Sequence, residues 1–579
     1  MTMKRDTSHI IARSALAALV AGALFVAQLA LPAQRMESAS TPPPATATHA
    51  PRPTRTPRPT PSPTPARIRA AIEVNSTAPG APFSPRMLGS NLPAWLKSGV
   101  FENETFRRRV AASGIHLLRI PGGAWGDEYG WLSCETGKDQ PGAFPCRFPW
   151  AARPTDFINF FRAVAAQGNA IEPMYIVNVN YTAQEAAALV AFHNSYVTDT
   201  TRIGVDIRGT DWLTAGHWAQ LRAAGGNVEP LRITLWEIGN ELYGGKPAVK
   251  GCPASGWENT WTCNGAEYID GNEQHDGFIK MRAAMQAVDS SILVGAVGHE
   301  SSLGGWSRGV LTRGGAVMDY YVAHAYPQYY NYGNPRREIE HIVSIPQYLW
   351  PKIKREADLA FAEYAGGRAI PIALNEFNIV PEWGKKDYRN YLNKHVNALF
   401  MADSIGMMAT HGYAMAAQWD VMNGPSPEMG GGVNEFGLMR AYKYDRRMTR
   451  QPQYYAFPIW ARFGLTTLPV TSSVDPAKEM SVYAGRPEAG VVSVLLINKS
   501  DRPADAQITL AGARQIAGGL ADTVTAESPD ALQAAFNGVF NPKDDLSDAP
   551  PVTLKGAADN RLSYTVAPYA IALLRLRAR

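Results

Sequence analysis

Cysteine is scarce in this chain, four in 579 residues, and none of the spacings between them is the C-x2-C of a structural zinc site. The 11 histidines form no H-E-x-x-H or H-x-H set, so no metal-ligand cluster announces itself. Neither a metal nor a cofactor is expected. No run of lysine or arginine interleaves with aromatics, so the formal charge of +5 is assigned no nucleic-acid partner. No G-x-G-x-x-G follows the first strand-like segment, which argues against an open dinucleotide-binding sheet. Charged residues are few, 18% against 45% hydrophobic, a globular balance that sets aside wholesale disorder. What is plentiful is aromatic side chains, including 14 tryptophans; such rings can stack on sugar faces, although a large core also uses them.

The N-terminus reads as an export signal. Lys4, Arg5 and Arg13 precede an uncharged stretch from Ser14 to Gln34, with small residues near its end. Residues 1–35 are expected to be a signal peptide or, since the stretch is long enough to span a bilayer, an uncleaved membrane anchor. Residues 36–66 are Pro, Thr, Ser and Ala, a composition that stays extended and solvated, as a spacer would. A secreted or cell-surface location follows as the expectation. The cysteines agree with export: Cys134 with Cys146 and Cys252 with Cys263 read as two short-range loop disulfides, with zinc as the competing use. Each pair lies in a stretch rich in Gly, Pro, Asn and Trp, as loops bracing a binding face would.

The folded part divides in two. Short apolar runs ending at Asn91, Gly123, Asn180, Glu241, Glu300, Pro327, Asn378 and Asn423 alternate with amphipathic segments such as 103–113, 156–168, 184–197, 275–288 and 389–406. Eight near-continuous apolar strands separated by helices predict a (β/α)8 barrel over 79–462, with a doubly wound open sheet as the alternative. Beyond Gly464 the pattern becomes alternating and turn-rich, so 463–579 is predicted to form a β-sandwich. The strand in 67–78 has no helix after it and is expected to join that sandwich. The fold class is therefore α/β, a TIM barrel with an appended sandwich.

Each barrel run ends in polar residues, where this fold carries its chemistry. Glu241 in "LWEIGNE" and Glu376 in "IALNEFN" end the fourth and seventh runs with matched Asn-Glu contexts. Two carboxylates facing each other across a barrel mouth are what glycosidic cleavage uses, one to protonate the leaving oxygen and one on the other side of the anomeric carbon. A strand-end glutamate on its own is ordinarily a salt-bridged or solvated group; the duplicated context favours function. Apolar neighbours are expected to raise Glu241 for acid/base work, while Arg119, His324, Tyr326 and Asn375 are the donors that would keep Glu376 ionised. Glu237, roughly 13 Å from Glu241 along an extended strand, reads as structural. For Asp420, and for Glu300 beside His299, sugar binding and plain ion pairing remain open.

The motifs "WEIGNE" and "LNEFN", three strands apart, resemble those of clan A glycoside hydrolases, especially families 51 and 39. The segments "IEVNSTAPGAPFSPRMLGSN", "LLRIPGGAWGDEYGW" and "FGLMRAYKYDRRMTRQPQYYAF" are similar to family 51 as well, so the resemblance spans nearly the whole folded chain. It implies a retaining hydrolase acting on polysaccharide or oligosaccharide, possessing Glu241 as acid/base and Glu376 as nucleophile. Asn91, Arg119, Asn240, His324, Tyr326 and Trp419 would bind substrate, Asn240 at the hydroxyl beside the anomeric carbon and Trp419 as the floor of the subsite. The chain departs from the arabinofuranosidases at its first strand, "GSNLPAW" in place of a "GHFLE"-like grip. An endo-β-glycanase or a β-xylosidase or β-glucosidase therefore stands beside an α-L-arabinofuranosidase. A transglycosylase and a surface carbohydrate-binding protein without catalysis are the readings of other kinds.

Overall fold

The computed structural model describes residues 66–381, 386–423, 436–442 and 445–579. The expected signal or anchor, and all but the last residue of the spacer, lie outside the described residues. Among the described residues no helix is long and apolar enough to cross a membrane.

The eight predicted runs each supply one strand of a closed parallel barrel: Gly89–Asn91, Leu117–Ile120, Glu172–Val177, Leu235–Ile238, Leu293–Val297, Tyr320–Ala325, Ile372–Phe377 and Met415–Gln418. Neighbours pair in chain order, and Gln418 against Ser90 closes the ring. The strands are buried along almost their whole length because helices cover the outside and side chains fill the inside. Local sequence explains the helix ends. Asn103 accepts the amide of Phe106 at the start of Glu104–Ser113, and Gly114, at φ +77, ends that helix in the left-handed region. Thr182 caps Ala183–Asn194 in the same way, accepting from Glu185.

The sandwich forms as expected, with the pre-barrel strand built into it. Ile68–Asn75 alternates buried and exposed, pairs parallel to Ala504–Ala511 and antiparallel to Val470–Ser472, and buries Ile68, Ile72 and Val74 between two sheets. The second sheet centres on Val491–Asn498 and Ile571–Ala578. Its edge includes Ala81–Pro82 against Thr466 and Thr467, so the leading segment feeds both sheets before the first barrel strand begins. Where sandwich meets barrel, Phe83 stacks on Trp460 at 5.4 Å, and the fully buried Lys499 pairs with Asp403 of the helix His395–Thr410. Both expected disulfides are present, Cys134–Cys146 and Cys252–Cys263.

Candidate active site

The two glutamates reach the carboxyl end of the barrel by different routes. Glu376 lies within its strand, and an irregularity of register between Ala323 and His324 sets His324 opposite it. Glu241 does not end the fourth strand as expected. That strand stops at Ile238, and the chain turns out of the sheet through Gly239, at φ +84, and Glu241 itself, at φ +37. A Cβ on Gly239 would come within 2.8 Å of the Leu242 side chain, so glycine is what permits the turn. One oxygen each of Glu241 and Glu376 and a ring nitrogen of His324 all lie within 4.8 Å of one another.

Beneath this trio lies a buried guanidinium. Arg119 donates through Nε and Nη2 to the two oxygens of Glu237, through Nη2 to Asn240 Oδ1, and through Nη1 to Asn91 Oδ1 and Glu376 Oε2, at 2.7–3.1 Å. All five N–H donors are engaged by protein. The expectation that Arg119 binds substrate is therefore corrected: it anchors the floor and holds Glu376, as the fully buried Glu237 holds it in turn. Asn91 is corrected likewise. It is fully buried, accepting from Arg119 and donating its amide to the carbonyls of Asn375 and Gln418, with its side chain committed inside the barrel. Glu237 is structural, as its position in the strand suggested.

Above the floor opens a cleft of about 610 Å³ lined by Asn240, Glu241, His324, Tyr326, Glu376 and Trp419, among others. Tyr326 donates to Glu376 Oε1 at 2.7 Å. The Trp419 ring lies across Gly123, where a Cβ would meet it at 2.6 Å, and tilts against Trp95. His299 and Glu300 stand in the wall, 3.4 Å apart, whereas Asp420 is fully buried. Two contributors escape a reading based on strand ends. Tyr243 donates to Glu241 Oε1 at 3.1 Å and Trp257 to Glu241 Oε2 at 2.9 Å. Trp257 sits inside the Cys252–Cys263 loop, and that bracket was the available signal.

Charge is crowded here, and it reverses one expectation. Burial pushes Glu241 up, but His324, Trp257 and Tyr243 outweigh it, so the carboxyl is held below its ordinary range instead of above it. Glu376 is held above that range, by burial first, with His324 and Arg119 pulling down and the nearby Glu241 charge pushing up. His324 Nδ1 lies 3.0 Å from Glu241 and 3.7 Å from Glu376; burial opposes its charge, but the two carboxylates raise its pKa. The three groups therefore titrate as a unit. A charged His324 between two carboxylates holds the same number of protons as a neutral His324 beside a protonated Glu241. One proton shift along the 3.0 Å contact converts the first state into the one an acid catalyst needs.

Fold and cleft define a barrel-and-sandwich protein with two carboxylates facing each other at the mouth of the barrel. Among solved structures it is similar to a family 51 arabinofuranosidase from Xanthomonas axonopodis pv. citri, with a TM-score of 0.63 at 16% identity over 88% of this chain and 100% of that one. It is similar also to AbfB, a family 51 α-L-arabinofuranosidase from Bifidobacterium longum, with 0.63 at 17% over the same shares. A family 44 xyloglucanase from Paenibacillus polymyxa gives 0.53 at 14%, over 88% and 100%. In sequence the chain is 25% identical over 292 residues to an intracellular exo-alpha-(1->5)-L-arabinofuranosidase of Bifidobacterium longum, covering 46% of this chain. It spans 44% of that relative's length. No protein-family model matches the chain.

Proposed function

We propose that the protein is a retaining glycoside hydrolase with Glu376 as nucleophile and Glu241 as acid/base. The observation that carries the reading is the approach of the two carboxylates to within 4.8 Å, which agrees with the roughly 5 Å spacing of retaining sites and leaves no room for the water of an inverting one. In the first step a Glu376 oxygen attacks the anomeric carbon while Glu241 passes a proton to the departing glycosidic oxygen. In the second, Glu241 takes a proton from water, which displaces the sugar from Glu376. Arg119 and Tyr326 aim the nucleophile, Asn240 lies at the cleft beside Glu241, and Trp419 floors the sugar site.

Polysaccharides or oligosaccharides are the substrate class, and an α-L-arabinofuranoside is the first candidate because the family 51 folds resemble this one more strongly than the family 44 fold does. Trp95 on the cleft wall, within "GSNLPAW", keeps β-xylosides and β-glucosides in the comparison. Export belongs to the same proposal, supported by the basic, then apolar N-terminus and by two disulfides; recovery of activity solely inside producing cells would refute it. For the chemistry, activated 2-fluoro glycosides of arabinofuranose, xylose and glucose should label Glu376, located by peptide mass. Glu376→Gln should abolish turnover, and Glu241→Ala should spare only substrates with good leaving groups. Wild-type rates in Glu376→Gln would overturn the assignment. Product analysis with a high concentration of acceptor sugar separates hydrolysis from transglycosylation.

A further inference from the structure

Consecutive residues of one disulfide-closed loop grip both members of the Asn240–Glu241 pair. Trp257 Nε1 donates to Glu241 Oε2 at 2.9 Å, and Glu258 Oε2 accepts from Asn240 Nδ2 at 2.9 Å. The loop is seated on the chain immediately after Glu241. The amides of Trp257 and Glu258 both donate to the Gly244 carbonyl, at 2.8 and 2.9 Å, and Lys246 N donates back to the Glu258 carbonyl at 3.0 Å. Two glycines make this seat. A Cβ on Gly244 would come within 2.6 Å of the Trp257 ring, and one on Gly245 within 2.6 Å of Cys263 Sγ and 2.7 Å of Cys252 Sγ. The disulfide therefore rests on Gly245, the residue next to the one on which the tryptophan rests.

Glu258 is completely buried, although it springs from a loop. Its other oxygen accepts from Asn259 N at 3.3 Å, and its contact with Asn240 fixes which way that amide faces. Arg119 can only donate, so Asn240 Oδ1 must point to it, at 2.7 Å. Nδ2 is then left with one hydrogen for Glu258 and a second for the cleft. Trp257, by contrast, is 50% exposed, and its ring lines the cleft. One loop thus offers a buried acceptor that orients the asparagine and a rim donor that loads the glutamate.

We infer that the Cys252–Cys263 loop is a positioning element for the reaction, with Trp257 tuning the protonation of Glu241, Glu258 orienting Asn240, and the disulfide holding both in register. The inference rests on the acid/base role proposed for Glu241. Removing a donor from a carboxylate raises its pKa, so Trp257→Phe should move the alkaline limb of kcat/KM upward by about half a pH unit to one unit. Glu258→Ala should lower kcat/KM by about tenfold or more through kcat, because the asparagine loses its orientation. Glu258→Gln, which keeps an oxygen for Asn240, should recover most of that loss. Cys252→Ala with Cys263→Ala should reproduce the Trp257→Phe limb shift, and the same pair of changes at Cys134 and Cys146 should not.

A measurement independent of turnover keeps the loop distinct from the hydrolase reading. Titrating Glu241 by carboxyl-carbon NMR in Glu376→Gln, with and without Trp257→Phe, should show its pKa rise when the indole is removed. If the wild-type protein turns over no glycoside while the titration shows that rise, the loop inference stands and the hydrolase reading falls. An active protein whose alkaline limb and Glu241 titration ignore Trp257, or whose Glu258→Ala matches wild type, overturns the loop inference alone.

Discussion

Replacing Arg119 with lysine tests whether the barrel floor governs the proposed nucleophile, Glu376. The guanidinium makes five bonds to four side chains in a fully buried site, and an ammonium has three donors on a narrower head. At least two charge-assisted bonds are lost, at about 1.5–3 kcal/mol each. Because the positive charge survives, the loss should fall near the low end, about 3–4 kcal/mol, visible as a clear drop in thermal unfolding temperature. The catalytic consequence has a sign. Arg119 is among the groups that pull the Glu376 pKa down, and a lysine satisfying Glu237 reaches Glu376 less well. The nucleophile must be ionised, so the acid limb of kcat/KM should move up, by about one pH unit. Glu237→Gln makes the opposite prediction: with its strongest competitor neutralised, Arg119 acts more fully on Glu376 and the acid limb should move down. Circular dichroism melts and pH–rate profiles of both variants decide the matter. Limbs that shift in the same direction, or fail to shift, refute the reasoning.

Tyr326→Phe removes the 2.7 Å donor to Glu376 Oε1 without changing the ring, and should lower kcat about tenfold while also raising the acid limb, as steady-state kinetics would read. His193 is fully buried against Tyr175, Phe192 and Trp236 with neither ring nitrogen hydrogen-bonded, and burial pushes its pKa down to about 3. Its neutral form stabilises the fold above the ordinary histidine value near 6.5, and that contribution, roughly 4–5 kcal/mol, is lost as pH falls toward 3. His193→Phe should therefore shift the acid-unfolding midpoint to lower pH. Lys499→Met leaves the buried Asp403 carboxylate, among the described residues, with Gln347 and Tyr483, and should cost about 3–5 kcal/mol in thermal melts, part of it restored by adding Asp403→Leu.

The barrel was legible because its signal is one-dimensional: every strand is an apolar run closed by polar residues, and every run found its place in the ring. The pre-barrel strand was legible from the missing helix after it. The longest helix among the described residues, Pro335–Tyr364, is poorly announced, since Pro346 and Pro351 lie inside it. At the site, Glu376, His324 and Tyr326 could be read because strand alternation brings neighbouring strands' ends together. Asn91 and Arg119 were placed in the right neighbourhood with the wrong occupation. Whether a polar side chain meets substrate or another side chain depends on depth within the barrel, which neither residue type nor spacing encodes. Glu241 was found by its motif, but its lowered pKa was not: it comes first from His324, which the sequence assigned to Glu376, and then from Trp257, on a loop whose path is set by a disulfide and two glycines.

Around the floor of the cleft the structure gathers more negative than positive charge. Asp127, Glu237, Glu241, Glu258 and Glu376 surround Arg119 and His324, and full ionisation would leave a large buried surplus. The surplus is limited by protonation: burial raises Glu258 well above its ordinary range and pushes Asp127 up to about 8, against two amide donors, Val179 and Asn240. In the proposed reaction, what negative charge remains would favour a sugar ring developing oxocarbenium character above it. Asp127 carries the testable part. Its folded pKa lies above its ordinary value of 3.8, so its contribution to stability is complete below that value and is lost as pH climbs through about 8. Asp127→Asn removes the titration but turns an NH₂ toward one of the two backbone N–H groups, costing about 1–3 kcal/mol where the acid is neutral. The variant should be the less stable protein at acid pH and should close the gap as pH rises toward 8, so the two melting profiles converge or cross. Parallel profiles would mean that Asp127 is ionised throughout, and the charge surplus would have to be carried elsewhere.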